Sequence, residues 1–89
     1  MTGTTELIAA RAYSVSAEGH FNPENPGPVA SPCVSVCRMT ADRSHCEGCF
    51  RTIDEIRAWA GADARQRRAI WAALLQRAGV ACPEELARP

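Results

Sequence analysis

The sequence predicts a small metal-stabilised α domain: a cysteine-rich knuckle loop followed by a two-helix hairpin, with a disordered N-terminal tail. The prediction depends on two close cysteine pairs, two consecutive helix-start signals and a small number of apolar residues. At 89 residues the chain is long enough for one small domain. A unit of this size gains little net stability from burial once ordering entropy is subtracted, so we expect a metal ion to stabilise it.

The N-terminal part of the chain is expected to be flexible. The stretch Thr5–Ala12 is long enough for only a turn or two of helix, and so short a helix is marginal in water. Residues 21–32 (FNPENPGPVASP) are rich in proline, which removes amide donors and favours extended backbone. The predicted divisions are a tail and proline-rich linker over 1–30, a tetra-cysteine domain with two helices over 31–80, and a C-terminal tail over 81–89.

The first helix signal follows the last of the clustered cysteines. Thr52 and Glu55 have the spacing of a capping box, in which each side chain bonds the backbone amide of the other residue. This signal predicts a helix over 53–60 that is ended by Gly61.

A second helix signal comes directly after the first helix. Asp63 and Gln66 again have capping-box spacing, and the helix over 64–78 should end at Gly79. Each helix carries apolar residues at helical spacing, and we expect the two apolar faces to pack together as a hairpin. The residues of these faces are Ile53, Ile56 and Ala60 on the first helix and Ile70, Trp71, Leu74, Leu75 and Ala78 on the second.

The cysteines carry the clearest chemical signal. Cys33, Cys37, Cys46 and Cys49 form the pattern Cys-x3-Cys-x8-Cys-x2-Cys. Each close pair can place both sulfurs on one ion, and the intervening loop lets the two pairs converge. Because four thiolates favour Zn²⁺ or iron in a sulfur cluster over hard cations, these four cysteines are the predicted ligands of one metal site.

Three residues beside the cysteines are expected to support the site. Gly48 stands between Cys46 and Cys49, where a positive φ would let the backbone amides of the turn point at sulfur. Four thiolates around a divalent ion leave a net charge of about −2, and Arg38 and Arg51 are close enough in sequence to offset it.

Three other potential ligands are assigned no place in the site. Cys82 lies far along the chain and is expected to be a thiol near the C-terminus. His45 adjoins Cys46, but the four cysteines already complete a ligand set. His20, in the predicted tail, is expected to be solvated.

Ligand type alone does not choose between zinc and an iron–sulfur cluster, because both accept four thiolates. The spacing matches neither of the ferredoxin patterns Cys-x2-Cys-x2-Cys-x3-Cys and Cys-x4-Cys-x2-Cys. Two short pairs around a loop are more typical of zinc. We therefore expect zinc, with an iron–sulfur cluster as the alternative.

The motifs also resemble a known family. SPCVSVCRM, CEGCFRTIDEIRAWA and the arginine-rich helix that follows look like the small bacterial proteins grouped as DUF1289, a domain of unknown function. The resemblance covers about residues 31–78 and implies a shared fold unit without an established activity. Members are often described as predicted iron–sulfur proteins. The matching positions are Ser31, Pro32, Cys33, Cys37, Cys46, Gly48, Cys49, Arg51, Thr52, Glu55, Ile56 and Trp59.

Composition and motifs narrow the function classes. Ten arginines balance ten acidic residues, so no field of one sign favours nucleic acid, and the cluster Arg65, Arg67 and Arg68 is expected to be a solvated face. There is no glycine-rich phosphate loop, nucleophile elbow or His-Glu-x-x-His motif, so we expect no enzyme activity. The predicted function is a non-catalytic metal-binding adaptor that binds another protein, and the alternative is an iron–sulfur electron carrier or redox sensor.

The N-terminus shows no apolar run of signal-peptide length, and no stretch approaches the ~20 apolar residues of a membrane span. We therefore expect a cytoplasmic location and no membrane partner. Clustered cysteines in a reducing compartment are more often metal ligands or redox groups than disulfides, which agrees with the predicted site.

Overall fold

The computed structural model describes residues 4–22, 24, 28–33, 38–83 and 86. Within these residues the chain forms no strand, and the predicted small, mostly helical class is confirmed. No helix of the described part combines the length and apolar character that a membrane span needs. The radius of gyration is 12.2 Å. The helices are α1 (Thr4–Ala17), α2 (Ile53–Trp59) and α3 (Ala64–Ala78).

Both predicted capping boxes are present. The Glu55 amide donates to Thr52 Oγ1 at 3.1 Å, and the Thr52 amide donates to Glu55 Oε1 at 2.9 Å. The same reciprocal pair joins Asp63 and Gln66 at 2.8 and 2.9 Å. Gly79 ends α3 with φ 74°, a conformation that a side chain would disfavour. The local signals therefore predicted where α2 and α3 begin and where α3 ends.

The described part of the N-terminal segment is helical, and the prediction of a disordered tail is wrong there. Ile8, Ala12 and Val15 are buried on one face of α1, with the spacing of an amphipathic helix. This face packs against α3. The prediction treated the segment as an isolated helix, for which nucleation is costly. Burial of apolar side chains against α3 offsets that cost.

The core lies between α1, the loop that follows it and α3. Trp71, Leu74 and Leu75 of α3 have no exposed surface. Phe21 meets the Trp71 ring edge to face, with centroids 5.1 Å apart. The Trp71 indole N–H donates to the Ala30 carbonyl at 2.9 Å. These contacts tie described residues near both ends of the proline-rich segment to the core.

Side chains also bind the backbone of this loop. His20 Nδ1 accepts the Ala30 amide at 3.0 Å, so His20 is a structural residue and not the solvated one that was expected. Arg11 Nε donates to the Ser31 carbonyl at 3.1 Å. Backbone N–H and C=O groups that are shielded from water need hydrogen-bond partners. The proline-rich segment does not provide them through a helix or a sheet, so the side chains of His20 and Arg11 do so.

The predicted hairpin interface between α2 and α3 is not formed. α2 has no buried residue, and Ile53 and Ile56 are 44% and 36% exposed. The apolar stripe of α3 is buried against α1 instead. The 14 residues of α1 offer a longer apolar face than the 7 residues of α2, so α1 takes the position that the sequence assigned to α2.

Candidate metal centre

The second cysteine pair lies in a tight loop that closes on itself. The Cys46 amide donates to the Arg51 carbonyl at 2.8 Å, and the Phe50 amide donates to the Cys46 carbonyl at 2.8 Å. Phe50 adopts a left-handed backbone conformation with φ 62°. These bonds bring both ends of the loop together and hold Cys46 and Cys49 on its inner side, where they are 6% and 2% exposed. We call residues 46–51 the knuckle.

The left-handed residue of the knuckle is Phe50, and the prediction that Gly48 has a positive φ is wrong. Gly48 is buried inside the turn. The turn spans residues 47–49 and is closed by the hydrogen bond from the Phe50 amide to the Cys46 carbonyl. A non-glycine residue in this conformation costs of the order of 1 kcal/mol, which the closing hydrogen bonds of the loop must offset.

The Cys46 sulfur receives several hydrogen bonds. The backbone amides of Cys49, Gly48 and Arg38 donate to it, and the Cys49 thiol lies within hydrogen-bond reach. Burial raises the pKa of the Cys46 thiol, but these hydrogen bonds outweigh burial and hold its pKa below the ordinary value. Amide groups directed at one sulfur stabilise a thiolate, so Cys46 is prepared to carry negative charge.

Cys49 has a different environment. Burial raises the pKa of its thiol, and the hydrogen bonds and positive charge of Arg51 offset this only in part, so the pKa stays above the ordinary value. Arg51 Nε donates to Cys49 Sγ at 3.2 Å. The two sulfurs of the knuckle are close to one another, and negative charge on Cys46 is a further cause of the raised pKa of Cys49.

Arg51 is a buried cation, with only 7% of its surface exposed. Among the described residues no carboxylate forms an ion pair with it. Its guanidinium lies 5.3 Å from the centre of the Trp59 ring, within the range of a cation–π contact. Arg67 lies at the same distance, 5.3 Å, from that ring. Trp59 therefore contacts two guanidinium groups and packs half-buried against the core, whereas Trp71 is fully buried within it.

The first cysteine pair is described only in part. Cys33 is exposed, and Cys37 lies outside the described residues. Arg38, the residue after Cys37, lies against the knuckle: its amide donates to the Cys46 sulfur and its carbonyl accepts the Glu47 amide at 2.7 Å. Within the residues that the structure describes, no three Cys, His, Asp or Glu side chains converge on one point. Cys46 and Cys49 are brought together, and Cys33 is not placed with them.

The predicted supporting residues contribute in different ways. Arg51 reaches sulfur with its side chain, as the sequence suggests. Arg38 and Gly48 contribute backbone amides, and the Arg38 side chain is exposed. His45 stacks on Phe50 with ring centroids 5.4 Å apart, and its Nδ1 is 2.9 Å from Ser44 Oγ. Cys82 is exposed.

The loop between the two pairs contains an ordering element that the sequence reading missed. Thr40 Oγ1 donates to Asp42 Oδ1 at 2.6 Å, and the Ser44 amide donates to the same oxygen at 3.0 Å. The hydrogen bonds from Thr40 and Ser44 lower the pKa of Asp42 to about 2. The Thr-x-Asp-x-Ser spacing is a signal for such a turn, since short polar side chains bond nearby backbone.

The described residues form a small, mostly helical protein in which a Cys-x2-Cys turn precedes α2 and α3. The profile of the family described as Protein of unknown function (DUF1289) matches residues 31–78, which is more than half of the chain. The chain therefore belongs to the DUF1289 family, and the resemblance in its motifs is confirmed. No curated protein and no solved structure matches it. The matched region contains the knuckle, α2 and α3, whereas α1 lies outside it.

Proposed function

We propose that this protein holds one structural metal ion through Cys33, Cys37, Cys46 and Cys49 and acts as a non-catalytic adaptor. The ion would supply a cross-link between the two cysteine pairs. Binding to a structural zinc site in peptides contributes about 10–16 kcal/mol, which is ample for a loop that has few apolar residues of its own. The chemistry of Cys46 and Cys49 fits such an ion.

The observation that carries the proposal is the buried guanidinium of Arg51 against the Cys49 sulfur. A buried cation is costly unless an anion compensates it, and the described residues provide no carboxylate for this purpose. Thiolates bound to a metal are the anions at hand, since Arg51 Nε is already 3.2 Å from Cys49 Sγ. The backbone amides that donate to the Cys46 sulfur also favour a thiolate, as metal binding requires.

The position of Arg38 supports convergence of the two pairs. Its amide and carbonyl both contact the knuckle, and Cys37 is covalently joined to it. Arg38 directly follows Cys37 in the chain, and consecutive Cα atoms are about 3.8 Å apart, so we expect the Cys37 sulfur to bind the same ion. Cys33 has to move toward the knuckle when the ion binds.

We favour zinc, because two short cysteine pairs separated by a loop are typical of zinc sites. The alternative is an iron–sulfur cluster in an electron carrier or redox sensor, and hydrogen bonds to buried sulfurs are also a means of tuning cluster potentials. The adaptor role is supported by α2, which leaves Ile53 and Ile56 exposed at its surface. A closed set of four thiolates leaves no open position for a substrate.

Metal and sulfide quantification after anaerobic purification tests the proposal. We expect one zinc per chain and no acid-labile sulfide. Iron with sulfide and visible colour would select the iron–sulfur alternative. A chain that binds neither metal, although reduced and folded, would contradict both.

Two serine variants connect the metal to the knuckle. Cys46→Ser removes a proposed ligand, so we expect loss of stoichiometric zinc. Cys82→Ser is the matched control, because Cys82 is an exposed cysteine outside the proposed ligand set. Equal zinc content in the two variants would rule out Cys46 as a ligand.

A further inference from the structure

α2 is held to the molecule in an unusual way. None of its side chains is fully buried, and Trp59, at its C-terminal end, is the residue that packs half-buried against the core. Its other described attachments are polar: Arg67 Nε donates to the Trp59 carbonyl at 3.0 Å, and Arg77 forms an ion pair with Glu55 at 3.1 Å. Exposed pairs of this kind contribute little each. A short helix with such contacts is sensitive to any change at its ends.

A continuous series of contacts joins the knuckle to the C-terminal end of α2. Cys49 Sγ accepts the Arg51 Nε–H, and the Arg51 guanidinium lies over the ring of Trp59, the last residue of α2. Arg51 is buried, whereas Ile53 and Ile56 of α2 are exposed. Arg51 is thus the buried side chain that contacts both a knuckle sulfur and α2.

From these contacts we infer that metal binding at the knuckle fixes the position of α2 through Arg51 and Trp59. The inference rests on the proposed function. A metal ion binds cysteine as thiolate, and the hydrogen bond from Arg51 to a thiolate is charge-assisted and stronger than one to a neutral thiol. Binding therefore holds the Arg51 guanidinium more firmly, and the guanidinium in turn holds the Trp59 ring.

The consequence for the surface lies in the groove between α2 and α3. This groove has a volume of about 530 Å³, and its walls include Ala58 and Ala62 on one side and Ala69 and Ile70 on the other. One wall belongs to α2 and the turn after it, so the groove keeps its shape only while α2 is in place. The metal-loaded protein presents a defined groove, and the metal-free protein presents a variable one.

Hydrogen exchange of the full-length chain tests the inference, with zinc alone as the added metal and a chelator to remove it. We expect the α2 amides to exchange more slowly in the zinc-loaded protein, on the order of tenfold, which corresponds to about 1.4 kcal/mol. The amides of α1 provide an internal reference, because α1 packs against α3 and contributes no residue to the Cys49–Arg51–Trp59 contacts. Unchanged α2 exchange in a protein that has bound zinc would overturn the inference and leave the proposed function standing.

Two methionine variants separate the route through Arg51 from other attachments. Arg51 and Arg67 lie at the same distance from the Trp59 ring, but only Arg51 contacts sulfur. At zinc saturation verified by metal analysis, Arg51→Met should lose the zinc-dependent slowing, whereas Arg67→Met should retain it. Equal responses in the two variants would overturn the inference.

A variant at Trp59, the last residue in this series of contacts, tests the inference even if Arg51→Met does not bind zinc. Trp59→Leu keeps the cysteines and Arg51 and removes the ring, so it should bind zinc without slowing α2 exchange. Retention of the slowing in Trp59→Leu would overturn the inference. If the unaltered protein binds no zinc at all, the proposed function fails and the inference fails with it.

Discussion

At the scale of single residues, Asp42 organises the loop between the two cysteine pairs. Its carboxylate accepts the Thr40 hydroxyl at 2.6 Å and the Ser44 amide at 3.0 Å, although Asp42 itself is exposed. These bonds hold the pKa of Asp42 at about 2, below its ordinary 3.8. Because the folded-state pKa is the lower one, the ionised carboxylate stabilises the loop above pH 3.8. That contribution is lost as the pH falls through about 2.

Replacement of Thr40 tests this account. The Thr40 hydroxyl is the largest cause of the lowered pKa, so Thr40→Val should raise the pKa of Asp42 from about 2 toward 3.8. Ser44→Ala removes only a smaller side-chain bond and should raise it less. Carbon-detected NMR titration of the carboxyl group measures both. An Asp42 pKa that stays the same in Thr40→Val would contradict the leading role of the Thr40 hydroxyl.

At the scale of elements, α1 shows how tertiary burial overrides weak local preference. Its neighbouring residues Leu7 and Ile8 have nearly equal size and helix propensity, but Leu7 is 36% exposed and Ile8 is fully buried. The face that points to α3 therefore stabilises α1, and the opposite face does not.

This difference predicts unequal effects of two adjacent substitutions. Ile8→Ala should lower the free energy of unfolding by about 2–5 kcal/mol, since it leaves a cavity in the core. Leu7→Ala should lower it by clearly less than Ile8→Ala does, because more than a third of Leu7 is already exposed. Urea unfolding followed by circular dichroism measures both. Equal small effects would mean that α1 does not pack as described.

The two helices after the knuckle also differ in how much apolar surface they bury. α2 and α3 both begin with a complete capping box, yet α3 buries three residues and α2 none. Caps decide where a helix begins because they act on backbone groups within one turn. They do not decide what the helix packs against.

At the scale of the whole molecule, the family match and the core do not have the same bounds. The matched region, residues 31–78, contains Trp71, Leu74 and Leu75, but their partners Ile8, Val15 and Phe21 precede it. A chain restricted to the matched region would expose the apolar side of α3. The domain bounds 31–80 stay a prediction, and truncation of the chain tests them.

Truncation of the chain tests whether the matched region folds without α1. A chain that begins at Ser31 should show no cooperative thermal transition, even with equimolar zinc, because the metal joins cysteines and cannot replace the missing side of the core. A chain that lacks only residues 1–3, which precede α1, is the control and should melt as the full-length protein does. A cooperative transition in the shorter chain with zinc would show that the knuckle and two helices suffice.

The sequence by itself determined what depends on neighbours along the chain: the starts of α2 and α3, the end of α3 at Gly79, the cysteine pattern and the family. These features follow from contacts within a few residues, such as the pairing of Thr52 with Glu55. The tertiary structure alone decided that α1 is buried, that α2 remains exposed and that Arg51 lies between Cys49 and Trp59. The first two depend on helices distant in sequence that compete for the apolar stripe of α3, and the third depends on how the knuckle folds against the end of α2. The left-handed backbone conformation of Phe50 likewise follows from closure of the whole loop. No single residue type in the loop specifies it.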